Sequence, residues 1–212
     1  MSAVKMLVFA AAFLAAAGSV VLAQQEVGEN AAVVTSTSLQ NAFRLISVGD
    51  RQDMLVAIGV MEASGSTDPR VIQALSSCLD VGITFKRRAA ARTINDFWDV
   101  RMRAAQVLGN IGDPSGLPAL HEALRHEPDP VVKSAIIDAV GRIGRAESIP
   151  HLHRVAHTSL NNSYQSIVLL STIEAVAHIG HPDGYWILYD IIKESCDHRV
   201  RTAAEKALEK LL

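Results

Sequence analysis

Eight histidines occur in the 212 residues, and the second half of the chain sets several of them where they could do chemistry. His153 and His157 stand four positions apart, which on a helix turns both imidazoles to one side, as two ligands of one metal ion require. No third ligand is evident in the sequence, and Arg125 places a positive charge near His121, the next candidate upstream. His178 and His181 flank Gly180, where an imidazole suits the carboxyl end of a helix. A basic cluster, Lys86, Arg87, Arg88 and Arg92, lies in GITFKRRAAARTINDFW with Phe85, Phe97 and Trp98 at its flanks. It reads as a docking loop for an acidic partner or anionic lipid, or as an extra helix that docks through its alanines and leaves the arginines in water. Tyr185, Trp186 and Tyr189 form the densest aromatic group; half-buried packing at a junction and an interface anchor are the two readings. No nucleophile motif, phosphate-cradling glycine loop or paired-carboxylate arrangement is present.

The elements that must position these residues repeat. In VRMRAAQVLGNIGDPSGLPALHEAL, residues 100 to 124, Val100, Ala104, Val107, Leu108 and Ile111 follow a helical period. A shift of 32 residues brings Val132, Ile136, Ala139, Val140 and Ile143 into the same places. Further shifts bring in Ala175, Val176 and Ile179, and then Val200, Ala204, Ala207, Leu208 and Leu211, where the sequence stops half a unit on. Ala57, Met61, Gly65, Asp68-Pro69 and Leu75 make a looser copy upstream. Gly109 and Gly141 sit inside their helices, where a missing β-carbon lets a neighbour approach. Gly112, Gly144 and Gly180 fall where a helix must end in a left-handed residue. Asp129-Pro130 sets a capping carboxylate before an N1 proline, and Asp197 is placed to cap the last helix. A period of this length built from two helices marks an α-solenoid.

The pattern VRxxAAxxLGxIGDPxxLPAL resembles the HEAT-repeat family, in the short bacterial form shared with phycobilin lyases. The likeness extends over residues 96 to 212 and, more loosely, 50 to 82. It implies stacked helical hairpins whose surfaces bind other proteins and whose second helices line the concave side. One HEAT-like enzyme, deoxyhypusine hydroxylase, holds a di-iron centre with His-Glu pairs, and His121-Glu122 and His126-Glu127 invite the comparison. In that family the pairs lie early in first helices, where this chain has Met102-Arg103, Ser134-Ala135 and Thr202-Ala203. The resemblance therefore fails at the residues that do the chemistry. A phycobilin-lyase role rests on repeat similarity alone and fits poorly with an export signal.

The same shifts place residues of successive second helices in register. Leu120, Ala123 and Leu124, Leu152, Val155 and Ala156, and Leu188, Ile191 and Ile192 face the core. Between them, His121, His153 and Tyr189 form one outward row, Arg125, His157 and Lys193 a second, and Glu122, Arg154 and Asp190 a third. The rows read as a binding groove, basic or titratable along one line and hence pH-sensitive; an ordinary solvated face is the alternative.

Composition bounds the rest. Apolar residues make up 49% of the chain, aromatic residues 5% and charged residues 20%, with a formal net charge of -2. A core of small aliphatic side chains follows, with no global attraction to nucleic acid. Met1 to Lys5 and the apolar run Met6 to Ala23 read as a signal peptide cleaved after Ala23; an uncleaved anchor competes with it, although Gln24-Gln25-Glu26 lacks a basic stop-transfer flank. Residues 24 to 37 read as a flexible leader. Cys78 and Cys196 lie about three repeats apart, too far for a disulfide, and are expected as small core residues. Asn161-Asn162-Ser163 matches a glycosylation sequon, relevant only in a eukaryotic host.

The sequence thus predicts an all-α protein: a signal peptide at 1–23, a leader at 24–37 and an α-solenoid of stacked antiparallel helical hairpins, a HEAT-like superhelix, at 38–212 with a basic insert at 82–98. Its expected role is an exported, periplasmic or secreted, non-catalytic scaffold with no cofactor. A protein partner would bind through His121, Arg125, His153, Arg154, His157, Tyr189 and Lys193, assisted by Lys86, Arg87, Arg88 and Arg92. The alternatives are a histidine-rich metal protein or HEAT-like enzyme, with His153 and His157 as the metal candidates, and a structural subunit of a cell-envelope assembly that offers an uncapped apolar edge at Ala207, Leu208, Leu211 and Leu212.

Overall fold

A computed structural model describes residues 37–84, 86, 88, 89, 92–160 and 165–211. The expected signal peptide, the leader up to residue 36, Arg87, the sequon and Leu212 lie outside the described residues. Among the described residues, 42–211 form one compact unit. A helix, α1, is described over residues 37–48. Four hairpins follow: α2 (Arg51–Ser64) with α3 (Pro69–Cys78), α4 (Trp98–Ile111) with α5 (Leu117–His126), α6 (Pro130–Ile143) with α7 (Ile149–Leu160), and α8 (Ser166–Ile179) with α9 (Gly184–Glu194). The last helix, α10 (His198–Leu211), is the first half of a further unit and lies against α8 and α9. No helix among the described residues is long and apolar enough to cross a membrane.

Local chemistry sets the helix ends. Gly65, Gly112, Gly144 and Gly180 terminate α2, α4, α6 and α8 with φ of 57°, 72°, 70° and 65°, a left-handed turn that costs a β-carbon-bearing residue about 1 kcal/mol or more. Asp68 accepts from the Arg70 amide, Asp129 from those of Val131 and Val132, and Asp197 from that of Arg199, at 2.8 to 3.3 Å. Each satisfies amides that the first turn leaves unpaired.

The repeated apolar stripe is the core. Val100, Ala104, Val107 and Leu108 are buried with Leu117, Leu120 and Leu124, and the equivalents Val132, Ile136, Ala139, Val140, Leu152 and Val155 continue it. Val200, Ala204 and Ala207 bury the inner face of α10. Adjacent first helices meet backbone to backbone. A β-carbon on Gly109 would stand 2.7 Å from the Cα of Ala139, and one on Gly141 would stand 2.8 Å from the Cα of Ala175.

One polar cluster is sealed inside. Arg101, 1% exposed, donates through Nε and Nη2 to the two carboxylate oxygens of Glu127, at 2.7 and 3.1 Å. Its Nη1 donates to Asp96 Oδ1 at 2.8 Å and to the Val81 carbonyl at 3.0 Å. Glu127, itself buried, also accepts from the Asp129 amide at 3.0 Å. The cluster ties the 82–98 insert to the turn between α5 and α6.

Three expectations need correction. The insert is not an extra helix: Arg88–Ala89 and Arg92–Thr93 pair as a short antiparallel ribbon, Arg88 opposite Thr93. Gly82 turns into it at φ 77°, and a β-carbon there would stand 2.2 Å from the Asn95 carbonyl oxygen. Ile83 and Thr84 lie in the turn that Asp80 closes, accepting from the Ile83 amide through its carbonyl and from Thr84 Oγ1 through its side chain, and β-branched Thr93 favours the extended backbone of the second strand. Cys78 is buried, but Cys196 is exposed in the turn before α10. Trp186 is 63% exposed rather than half-buried, because it stands at the first turn of α9 on the face away from the buried Ile187, Leu188 and Ile191.

Candidate functional site

The outward faces of α5, α7 and α9 carry the residues that sequence spacing singled out. Arg125, His153, Arg154, His157, Tyr189 and Lys193 are all exposed. Lys86 and Arg88 are exposed in the insert, and Arg92 lies in its second strand. Glu122 accepts from Arg125 at 3.2 Å and meets His126 Nε2 at 2.9 Å. His153 Nε2 stands 3.4 Å from Asp190 Oδ2 across the step from α7 to α9. Arg154, His157 and Lys193 meet no carboxylate among the described residues.

The opposite face, formed by the first helices, carries a polar ladder between repeats. Arg103 of α4 is ion-paired with Glu62 of α2, Asn110 donates to Glu62 at 3.3 Å, and Arg142 of α6 donates to Asn110. These polar groups are engaged in packing one repeat on the next. On the second-helix side Arg154 and Lys193 have no such engagement among the described residues.

His121 departs from its predicted row. It does not face outward but is buried, 9% exposed, beneath the entrance to α7. Its Nε2 hydrogen-bonds Ser148 Oγ at 2.9 Å, and its ring stacks on that of His151 with centroids 3.8 Å apart and planes 8° from parallel. The row assumed that equivalent positions see equivalent surroundings, whereas at this junction the first turn of α7 lies over α5. Burial, followed by the neighbouring His151, pushes the His121 pKa down to about 4. Burial, then Arg154 and then Arg125, lower that of His151. Both rings are therefore neutral at pH 7, as close stacking demands.

Around this pair lies a cleft of about 340 Å³ between α5 and α7. Leu124 and Val155 floor it, and Arg125, Lys133, Arg154, His121, His151 and Thr158 supply its polar wall. No carboxylate lines it. Sequence reasoning reached Arg125 and Arg154 but missed His151, Lys133 and Ser148. These come from a different helix turn, a first helix and a 3₁₀ turn (Ala146–Ser148), and no row of equivalent second-helix positions could join them.

The metal and enzyme candidates find no assembled centre. Among the described residues no three His, Cys, Asp or Glu side chains converge as a metal ion would require. Of the two His-Glu pairs, Glu127 is committed to Arg101 and Glu122 to Arg125 and His126. Tyr185, Trp186 and Tyr189 form one aromatic group on α9, Trp186 and Tyr189 exposed and Tyr185 half-buried, with Tyr185 and Trp186 edge to face at 5.2 Å. The terminal edge is partly covered: Ala207 is buried, and Leu208 and Leu211 are intermediate.

Comparison with known proteins agrees with this architecture. A family model described as HEAT repeats matches residues 86–171. The complex of CpcE and CpcF of phycocyanin lyase from Nostoc sp. PCC7120 contains a chain of similar fold, with a TM-score of 0.61 at 20% identity. The alignment covers 82% of the present chain and 64% of that one, so this chain spans less than two thirds of its length. A search of curated protein sequences finds no match.

Proposed function

We propose, from the premise that this is a HEAT-repeat α-solenoid, that the protein is an exported, non-catalytic scaffold binding an acidic segment of a protein partner along its second helices. One observation carries the reading: the two faces differ in how their charge is used. Arg103, Glu62, Asn110 and Arg142 satisfy one another on the first-helix side. Arg154 and Lys193 stand exposed and unneutralised on successive second helices, with His157 also exposed. Open cations on neighbouring repeats attract and orient an acidic chain. The exposed aromatic group of α9 extends the same face with side chains suited to an interface anchor. The solved relative is a complex of two chains and belongs to a lyase. Only dependence on a partner is carried from it to this chain. Export is supported by the apolar run at residues 6–23 and the polar residues that follow it.

The test is an affinity capture from the native cell-envelope extract, using the wild type beside Arg154→Glu/His157→Glu/Lys193→Glu. A partner held by the wild type and released by the variant is the expected result; a partner held equally by both removes this face from the binding site. Mass spectrometry of the envelope-derived protein should find Gln24 at its amino terminus, and a retained Met1 would overturn cleavage.

A further inference from the structure

We propose that the cleft between α5 and α7 is an oxyanion-binding site, taking a carboxylate of an acidic peptide or a phosphate group between Arg125, Lys133 and Arg154, over the stacked His121–His151 pair. The assignment rests on reading the second-helix side as a binding face and states what this part of it takes.

Four observations converge. Three cations from three helices line one cavity of about 340 Å³, room for an acidic side chain with its flanking backbone or for a phosphate with water. No carboxylate lines that cavity. Arg125 is shared with Glu122, itself exposed, whereas Lys133 and Arg154 form no ion pair among the described residues. Leu124 and Val155 are buried beneath, so an anion seated there is partly shielded from water and its charge-assisted hydrogen bonds are strengthened. The guanidinium groups of Arg125 and Arg154 offer the planar paired donors that match carboxylate and phosphate oxygens.

The histidine pair gives the site a signature. His151 is held below its usual range by burial and by Arg154 and Arg125. The groups facing the pair are Arg125 on α5, Lys133 on α6, Arg154 on α7 and the neutral Ser148; the acid Glu122 is bound to Arg125. An oxyanion that neutralises the cations removes their repulsion and favours imidazolium at His151, so binding of a carboxylate takes up a proton there and raises the lowered His151 pKa.

The experiment titrates the full chain at pH 7 and low salt with a blocked tetraglutamate peptide and, separately, with inorganic phosphate. Chloride serves as the ionic-strength control, and the histidine Cε1 protons are followed by NMR. Saturable binding that raises the His151 titration midpoint is expected, with Arg154→Gln and Lys133→Gln each weakening it by about tenfold. Lys206→Gln, exposed on α10 and outside the cleft, should change it less than about twofold. Binding of the peptide alone identifies a carboxylate ligand, and binding of phosphate alone a phosphate ligand. The site is overturned by no saturable binding of either probe, by binding indifferent to Arg154 and Lys133, or by equal weakening through Lys206→Gln. Because small ions replace the partner, failure here leaves the capture experiment to decide the scaffold reading separately.

Discussion

Removing one member of the sealed Arg101–Glu127 pair should destabilise the protein more than almost any surface change. In Arg101→Met, Glu127 keeps only the Asp129 amide as a hydrogen-bond donor among its described partners and stays buried. In Glu127→Gln, Arg101 keeps Asp96 and the Val81 carbonyl, so its orphaning is less complete. Breaking a buried pair from one side costs about 3–5 kcal/mol; Arg101→Met belongs at the upper end and Glu127→Gln at the lower. For a chain of this size each kcal/mol moves the melting temperature by about 2–4 °C, which places Arg101→Met roughly 10–20 °C below the wild type. Arg101→Met/Glu127→Leu removes both charges and should recover at least half of the larger loss. Asp96→Ala, whose side chain is 56% exposed, should cost no more than about 1 kcal/mol. Circular dichroism during urea and thermal unfolding at pH 7 measures all four. Single variants within about 1 kcal/mol of the wild type, or a double variant no more stable than Arg101→Met, would refute the claim that this cluster is a desolvated unit.

Three further outcomes follow from the same structure. His121, with its pKa lowered to about 4 by burial, is neutral when folded but takes up a proton at about 6.5 when unfolded. Stability should therefore be full above about pH 6.5 and decline as pH falls towards 4; the pH profile of His121→Gln should lack that component, and an unchanged slope would count against a buried neutral ring. Gly141→Ala drives a β-carbon to 2.8 Å from Ala175 and should cost about 1–3 kcal/mol, whereas Gly59→Ala, inside α2 with nothing within 4 Å, should gain about 0.5–1 kcal/mol; a common sign in urea unfolding would contradict the packing. Cys78, buried and with its pKa pushed up to about 12, should react with a thiol reagent only after unfolding, while exposed Cys196 reacts in the native protein; native labelling of both thiols would contradict that burial.

Much of the fold was legible because the repeat writes its chain reversals in residues of special backbone chemistry. Gly112, Gly144 and Gly180 mark left-handed ends, and Asp129 and Asp197 mark helix starts, by local sterics that need no knowledge of neighbours. The insert was not legible, since runs of alanine and arginine carry helix propensity but no face to bury. Here Gly82, the β-branched residues and the clamp on Arg101 decide the path. The site was legible only in part. Superimposing units identifies positions that are equivalent, whereas a binding cleft is made of positions that are adjacent. His121 and His151 occupy different places in their own units, His151 aligning with Ala119, and they meet only because α7 enters over α5. Arg101 aligns with Lys133 and so looks solvated; its burial comes from Val81 and Asp96 in the segment that breaks the period.

The backbone contacts at Gly109 and Gly141 divide the labour of the molecule. Where main chain meets main chain, no rotamer is available to slide, and the pitch between neighbouring units is fixed by atomic radii. The outer surface of α5, α7 and α9 joins neighbouring units through side chains instead, as His153 meets Asp190 across one step. Its exposed residues that bridge no units, Arg154, His157 and Lys193 among them, can be rewritten with the spacing of the units unchanged. A surface freed in this way from structural duty resembles a keyboard on a rigid frame: the frame sets the interval between keys, and the keys alone decide which partner is read.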